Sequence, residues 1–264
     1  MARKHNSEVL KELKYIKKTV RPLSDNETKK SILITGSTDG IGLMTAQYLK
    51  SRGHTVIGHA RNQQRANDLY DILPAIDDIL IADFTQLSEV EQFAKDSQRF
   101  KNFDTIIHNA GIHGGTNLFS VNVVAPYVLT LLMDKPKQLI YLSSMDHGWG
   151  KYNLDNIKQN KVSYADTKLH IAMIALAFDQ AYPEIQINPI EPGWVPTNMG
   201  GQGAPDDMAI SYMTQVNLIE EKINYSGTLL VDSKPVKNPN STLLNPDALT
   251  ELMDYLAERT GLTV

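Results

Sequence analysis

Tyr164 and Lys168 stand four residues apart in a stretch, 162–181, where Ile171, Ile174, Ala175 and Phe178 recur at helical spacing. Residues i and i+4 share one helix face, so the phenol and the ammonium are neighbours. That pairing suits proton transfer. A free phenol titrates near 10, and lowering it by about three units takes roughly 4 kcal/mol of preferential phenolate stabilisation. One ammonium about 5 Å away supplies roughly 3 kcal/mol of that at an effective dielectric near 20. Tyr-x-x-x-Lys by itself is a chance pair on many helices. Here it follows Ser143-Ser144, Asn109-Ala110-Gly111 and, near the start of the chain, a glycine-rich run.

That run is Thr35-Gly36-Ser37-Thr38-Asp39-Gly40-Ile41-Gly42, set between the apolar Ile32-Leu33-Ile34 and a helical pattern beginning Leu43-Met44-Thr45-Ala46. A strand, a glycine turn and a helix N-terminus make an anion site, because free backbone N–H groups and the helix dipole converge there. The glycines admit φ > 0 and close approach of a pyrophosphate.

The elements that position these residues alternate along the chain. Strands are expected at 31–35, 54–59, 78–82, 103–108, 137–143, 185–190 and 227–231. Helices are expected at 41–52, 63–72, 86–100, 117–133, 162–181, 205–223 and 246–259. Near-continuous apolar runs such as Ile79-Leu80-Ile81 and Leu139-Ile140-Tyr141-Leu142 suit strands buried on both faces. The pattern predicts a single doubly wound α/β (Rossmann) domain over 31–264, with a seven-stranded parallel sheet flanked by helices on both faces.

Residues 1–30 form a separate basic extension, with nine Lys/Arg against four Asp/Glu. Val9, Leu13, Ile16 and Val20 recur at helical spacing, predicting an amphipathic helix. Its basic face suits a membrane surface or partner, but packing on the domain with that face in water is the simpler expectation. A net charge of −4 argues against nucleic acid, and no apolar run reaches the ~18 residues of a spanning helix. Zero cysteines exclude disulfides and thiolate sites, which fits a cytoplasmic protein. His108, His113 and His147 have no partners at ligand spacing, so no metal is expected.

Together these motifs resemble the short-chain dehydrogenase/reductase family, in its Thr-Gly-x-x-x-Gly-x-Gly branch, over residues 31 to about 262. The 19 residues between Ser144 and Tyr164 form an extended loop similar to retinol-dehydrogenase-like and WW-domain-oxidoreductase-like members. The resemblance implies an NAD(P)-dependent oxidoreductase interconverting a carbonyl and an alcohol on a small, apolar substrate. Tyr164 would transfer the proton, Lys168 would bind ribose and lower the phenol, and Ser144 would orient the substrate oxygen, with Ser143 as fallback. Asn122 would hold a water linking Lys168 to bulk.

For the cofactor, the resemblance implies contacts at Gly36, Ser37, Asp39, Gly40, Ile41, Gly42, Asp83, Phe84, Asn109, Ala110, Gly111, Tyr164, Lys168, Pro192, Gly193, Val195 and Thr197. The second strand ends His59-Ala60-Arg61-Asn62 with no carboxylate for the ribose hydroxyls. Arg61 can instead pair with a 2′-phosphate, favouring NADP(H) over NAD(H), although Asp39 stands where many NADP-using relatives carry a basic residue. Trp149, Tyr152, Trp194 and Met199 are candidates for an apolar pocket or for packing. Relatives pair through helices corresponding to 117–133 and 162–181, so a homodimer or homotetramer is expected by analogy.

Two features depart from the family. Only 12 residues separate Asn109 from Asn122, shortening a wall of the substrate cleft. That leaves a nucleotide-binding sensor or scaffold as the alternative to an enzyme. An extended sugar-nucleotide epimerase is a third reading, for which the chain has too short a C-terminal part.

Overall fold

The computed structural model describes residues 5–264, so the first four residues of the basic extension lie outside it. Helix α1 (Ser7–Thr19) is capped by Asn6, whose side chain accepts from the Glu8 N–H, and ends with Lys17 and Lys18 in its last turn. Its apolar stripe, Val9, Leu13 and Ile16, is buried against α2 (Gly40–Arg52) and joins the core. The helix packs on its own domain.

The strands are β1 (Ser31–Ile34), β2 (Thr55–Ala60), β3 (Asp78–Ile81), β4 (Thr105–His108), β5 (Gln138–Leu142), β6 (Gln186–Glu191), β7 (Leu230–Val231) and β8 (Lys234–Pro235). They form one sheet in the order β3-β2-β1-β4-β5-β6-β7-β8. The first seven pair in parallel, as the alternating pattern predicts. An eighth, β8, pairs antiparallel with β7 and was not foreseen. Asp232 and Ser233 join them with φ of 46° and 62°, the left-handed values a two-residue primed hairpin requires. Aspartate reaches that region more easily than most residues, but Asp-Ser is a weak hairpin signal, and strands of two residues carry no periodicity.

Alternate strand residues serve opposite faces. Leu33, Ile106, Leu139 and Tyr141 face one apolar cluster, while Ile32, Ile34, Ile107, Ile140 and Leu142 face the other. The second cluster takes in α1, α2, α3 (Gln63–Ile72) and α8 (Met208–Ile219). The first takes in α4 (Leu87–Ser97), α5 (Ala125–Leu132), α7 (Tyr164–Ala181) and α9 (Pro246–Thr260). A short α6 (Leu154–Lys158) and a 3₁₀ turn at Met145–Trp149 order the extended loop, which the sequence pattern left irregular.

Helix 117–133 is broken by a π turn at Ser120–Val124 before α5. The C-terminal segment packs against this region of the chain. Helix α9 packs on α7, and the buried Tyr127 donates to the Leu262 carbonyl at 2.7 Å. Among the described residues no helix is long and apolar enough to cross a membrane.

Ile16 is fully buried, so Ile16→Ala is expected to lower unfolding stability by about 2–5 kcal/mol. Urea denaturation checks this, and a change too small to resolve would mean that α1 does not share the domain core.

Candidate functional site

Strand order reverses between β1 and β4, and the two strand ends are locked together there. The Thr35 hydroxyl accepts from the Asn109 and Ala110 N–H groups at 3.0 Å each and donates to the Ile107 carbonyl at 3.2 Å. The Asn109 side-chain amide donates back to the carbonyls of Thr35 and Gly36 at 2.8 and 3.0 Å. Gly36 has φ +67°, and a Cβ there would sit 2.7 Å from Ala110 Cα. Only glycine fits that crossing.

A cavity of about 330 Å³ opens at these strand ends. The glycine turn enters it through Gly36, Thr38, Asp39, Gly40 and Ile41, and the next strand ends bring Arg61, Asp83, Phe84, Asn109, Ala110 and Gly111. Tyr164, Lys168, Pro192 and Thr197 complete the expected set on its wall, together with Ser143 and Met199. Other expected residues do not line it. The Ser37 side chain is buried under β2, accepting from the His59 N–H at 2.9 Å. Gly42 packs under the turn, where a Cβ would lie 2.6 Å from the Gly36 carbonyl. Gly193 (φ +77°) and the buried Val195 shape the loop after β6, where the Val195 carbonyl accepts from the Thr197 N–H at 2.7 Å.

Asp39 caps α2, accepting from the Gly40 N–H at 2.8 Å, the Asn198 amide at 2.8 Å and the His5 ring at 3.2 Å. Burial works against its charge, but the bonds from His5, Asn198 and Gly40 outweigh it and hold the carboxyl below its usual range.

Two residues of this wall had escaped the sequence reading. His59 accepts from the Gly36 N–H at 2.9 Å and meets the Ala82 carbonyl at 2.9 Å, so Nδ1 is the acceptor and Nε2 carries the proton. Its ring stacks on Phe84 with centroids 4.1 Å apart, and burial pushes it down to about 4. Buried Arg65 donates to the Thr38 carbonyl and hydroxyl at 3.1 and 2.9 Å, fastening α3 to the glycine turn. Its spacing of four from Arg61 across a helix start was the available signal.

Tyr164 is the first residue of α7. Ser163 caps that helix in a capping box with Asp166, whose carboxylate also accepts from the Lys151 N–H at 2.7 Å and so ties down the extended loop. The phenol therefore lies at the positive end of a helix. The two serines are engaged differently: Ser143 lines the cavity and donates to the Lys168 carbonyl at 2.7 Å, whereas the Ser144 hydroxyl accepts from the Asp146 N–H at 3.2 Å and favours ionisation of Tyr164.

Lys168 is buried and donates to the Leu142 carbonyl at 2.7 Å, with its ammonium 5.5 Å from the Tyr164 ring centre. Burial pushes it down to about 8, against the pull of Asp146. The expected lowering of Tyr164 by this ammonium is not realised in this structure. Burial, then the Asp146 carboxylate, pushes the phenol up to about 12, and the Ser144 hydroxyl opposes them.

Asn122 lies in the π turn. Its amide accepts from the Ile112 N–H and donates to the Ile112 carbonyl, both at 2.9 Å, and donates to Thr167 Oγ1 at 3.0 Å. The side chain holds the shortened segment against α7. His147 is buried and bonds Glu191 and the Ser144 carbonyl through Nδ1, both at 2.9 Å. Burial opposes its charge, but the Glu191 carboxylate and that carbonyl hold the ring above its usual value. His108 is a core residue beside Thr130 and Tyr141.

An open parallel sheet with a glycine turn and a cleft at its switch point defines a dinucleotide-binding Rossmann protein. A family model described as short chain dehydrogenase matches residues 30–207, and the chain belongs to that family. It is an NAD(P)-dependent oxidoreductase of the short-chain type. It is 33% identical over 251 residues to the short-chain dehydrogenase chyC of Penicillium rubens, covering 88% of this chain and 97% of that one. An uncharacterized oxidoreductase of Emericella nidulans is 43% identical over 188 residues, covering 66% of this chain and 73% of its own. Human retinol dehydrogenase 13 is 27% identical over 200 residues, covering 65% and 60%. Among solved structures, a protein of Mycobacterium paratuberculosis superposes with a TM-score of 0.76 at 18% identity, covering 94% and 97%, which shows the fold.

Thr35→Val keeps the shape of a buried side chain but leaves the Ala110 N–H without its acceptor and the Asn109 N–H with the Ile107 carbonyl at 3.0 Å. We expect a loss of about 1–3 kcal/mol in urea unfolding. A neutral substitution would mean that the strand-end lock contributes nothing.

Proposed function

We propose that the protein interconverts a carbonyl and an alcohol on a small, largely apolar molecule with NADP(H), and that Tyr164 exchanges the proton. The observation that carries this reading is Tyr164 at the start of α7, with the Lys168 ammonium 5.5 Å from its ring centre, on the wall of the strand-end cavity. The cavity suits a dinucleotide because Gly36 and Gly111 leave room that a side chain would fill; a Cβ on Gly111 would approach Asn122 Oδ1 at 3.3 Å and Lys168 Nζ at 3.6 Å. When bound, the cofactor supplies or accepts the hydride.

The glycine turn from Thr38 to Ile41 would hold the pyrophosphate, Asp83 and Phe84 the adenine end, Lys168 the ribose and Thr197 the carboxamide. Arg61 is exposed at the cavity edge, and Arg65 lies one helical turn on. The exposed Arg61 guanidinium, with no carboxylate at the end of β2, supports a 2′-phosphate.

In the reductive direction Tyr164 gives its proton to the carbonyl oxygen, which the Ser144 hydroxyl orients. The Lys168 ammonium and the helix N-terminus stabilise the phenolate left behind. Met199 on the cavity wall, and the exposed Met145, Trp149 and Trp194 on the loops that follow β5 and β6, offer apolar surface to a substrate body.

Tyr164→Phe is expected to bind NADPH as the native protein does and to lose at least a hundredfold in carbonyl reduction. Full turnover by the variant would overturn the role of Tyr164, and tight NADPH binding by the native protein with no turnover of any carbonyl would favour a sensor. For Arg61→Ala, titration should show NADPH binding weakened about tenfold or more with NADH within about threefold; equal losses would remove the case for NADP(H). Asp146 holds Tyr164 up, so Asp146→Asn lowers the phenol's titration and the rising limb of alcohol oxidation moves to lower pH. Lys168 moves the same way, since Asp146 raises it too. A pH profile of kcat tests the direction, and an unmoved limb would mean that the phenol does not set it.

A further inference from the structure

The shortened segment between Asn109 and Asn122 places one residue against the candidate proton donor that the family resemblance does not provide. His113 lies with its ring centre 4.5 Å from that of Tyr164, tilted by 39°. It does not line the cofactor cavity, although its neighbour Ile112 does. It touches Tyr164, the residue at which the substrate oxygen must arrive in the reading above.

The placement is built. Asn122 grips Ile112 through both its N–H and its carbonyl, and the same amide holds Thr167, whose hydroxyl donates to the Tyr164 carbonyl at 2.7 Å. On the other side, Asn160 donates to the Thr116 carbonyl at 2.8 Å. Gly114 and Gly115 (φ +98°) let the chain turn away at once after His113. Among the described residues, no group hydrogen-bonds the ring nitrogens of His113, and the residue is exposed.

We propose that His113 is a specificity-determining residue that hydrogen-bonds a second oxygen on the substrate, next to the carbon that reacts. This rests on the carbonyl–alcohol reading above. A neutral imidazole offers one donor and one acceptor, so it serves a hydroxyl or a second carbonyl equally well. A carboxylate at that place is disfavoured, because the Asp146 charge already acts on Tyr164 and Lys168. The substrate class is a neutral hydroxyketone or diketone with an apolar body for Met199 on the cavity wall.

The test uses benzil, benzoin and deoxybenzoin, which share one skeleton and differ in the oxygen beside the ketone. Their intrinsic reactivities differ, but the comparison between native protein and variant cancels that. His113→Phe keeps a ring against Tyr164 and removes the hydrogen bond. For benzil and benzoin we expect kcat/KM to fall about tenfold or more, mainly through KM, with deoxybenzoin within about twofold. His113→Gln should restore part of the loss. An equal fall for all three would make His113 structural, and no change would remove it from the site; either result overturns the proposal.

Binding of benzil and deoxybenzoin to the protein loaded with oxidised NADP, which cannot reduce either ketone, is followed by the fluorescence of Trp149 and Trp194 and decides the matter apart from turnover. Benzil should bind about tenfold tighter than deoxybenzoin to the native protein and lose that margin in His113→Phe. No margin in the native protein overturns the role of His113. A margin without turnover instead counts against the enzymatic reading.

Discussion

The crossing of β1 and β4 is the constraint on which the rest depends. Neighbouring strands diverge there because their helices leave toward opposite faces of the sheet. The backbone at such a divergence loses its ladder partners, and buried N–H and carbonyl groups must be satisfied some other way. Thr35 and Asn109 supply that by bonding each other's main chains. The lock fixes the glycine turn on one side and the Ala110-Gly111-Ile112 segment on the other. Through Ile112 and Asn122 the same order reaches α7 and Tyr164.

At the far end of the cleft, burial and charge work against each other. Both Tyr164 and Lys168 are driven toward their neutral forms by desolvation, one upward and one downward. Asp146, from the extended loop, raises both. A proton shared between such groups responds strongly to any charge brought beside it, since each is held away from its ordinary value by the lack of water. The loop itself is not slack. Asp166, Asn240 and the His147–Glu191 pair bind it to α7, to the C-terminal segment and to the end of β6.

Much of the fold was legible because its signals are local. Continuous apolar runs marked strands buried on both faces, and helical spacing marked the stripe of Val9, Leu13 and Ile16 that α1 buries. The failures share a cause. Strand β8 and the turn at Met145–Trp149 are too short to show a period, and the π turn differs from an α-helix only in bonding. The serine register could not be read from Ser143-Ser144, because alternation says that one side chain faces in without saying which contact each finds. His59 and Arg65 were missed because each acts on a segment far along the chain.

The sequence by itself determined the alternating architecture, the glycine turn after the first strand and the four-residue spacing that puts Tyr164 beside Lys168. These depend on residue type and on separations of a few positions. The tertiary structure alone decided how each serine is engaged, that Asp146 opposes the ionisation of the phenol, that α9 packs on α7, and that His113 lies on the Tyr164 ring. Each of these joins residues from different elements. Their separation in space is set by how strands and helices pack, and no local pattern of residues encodes that distance.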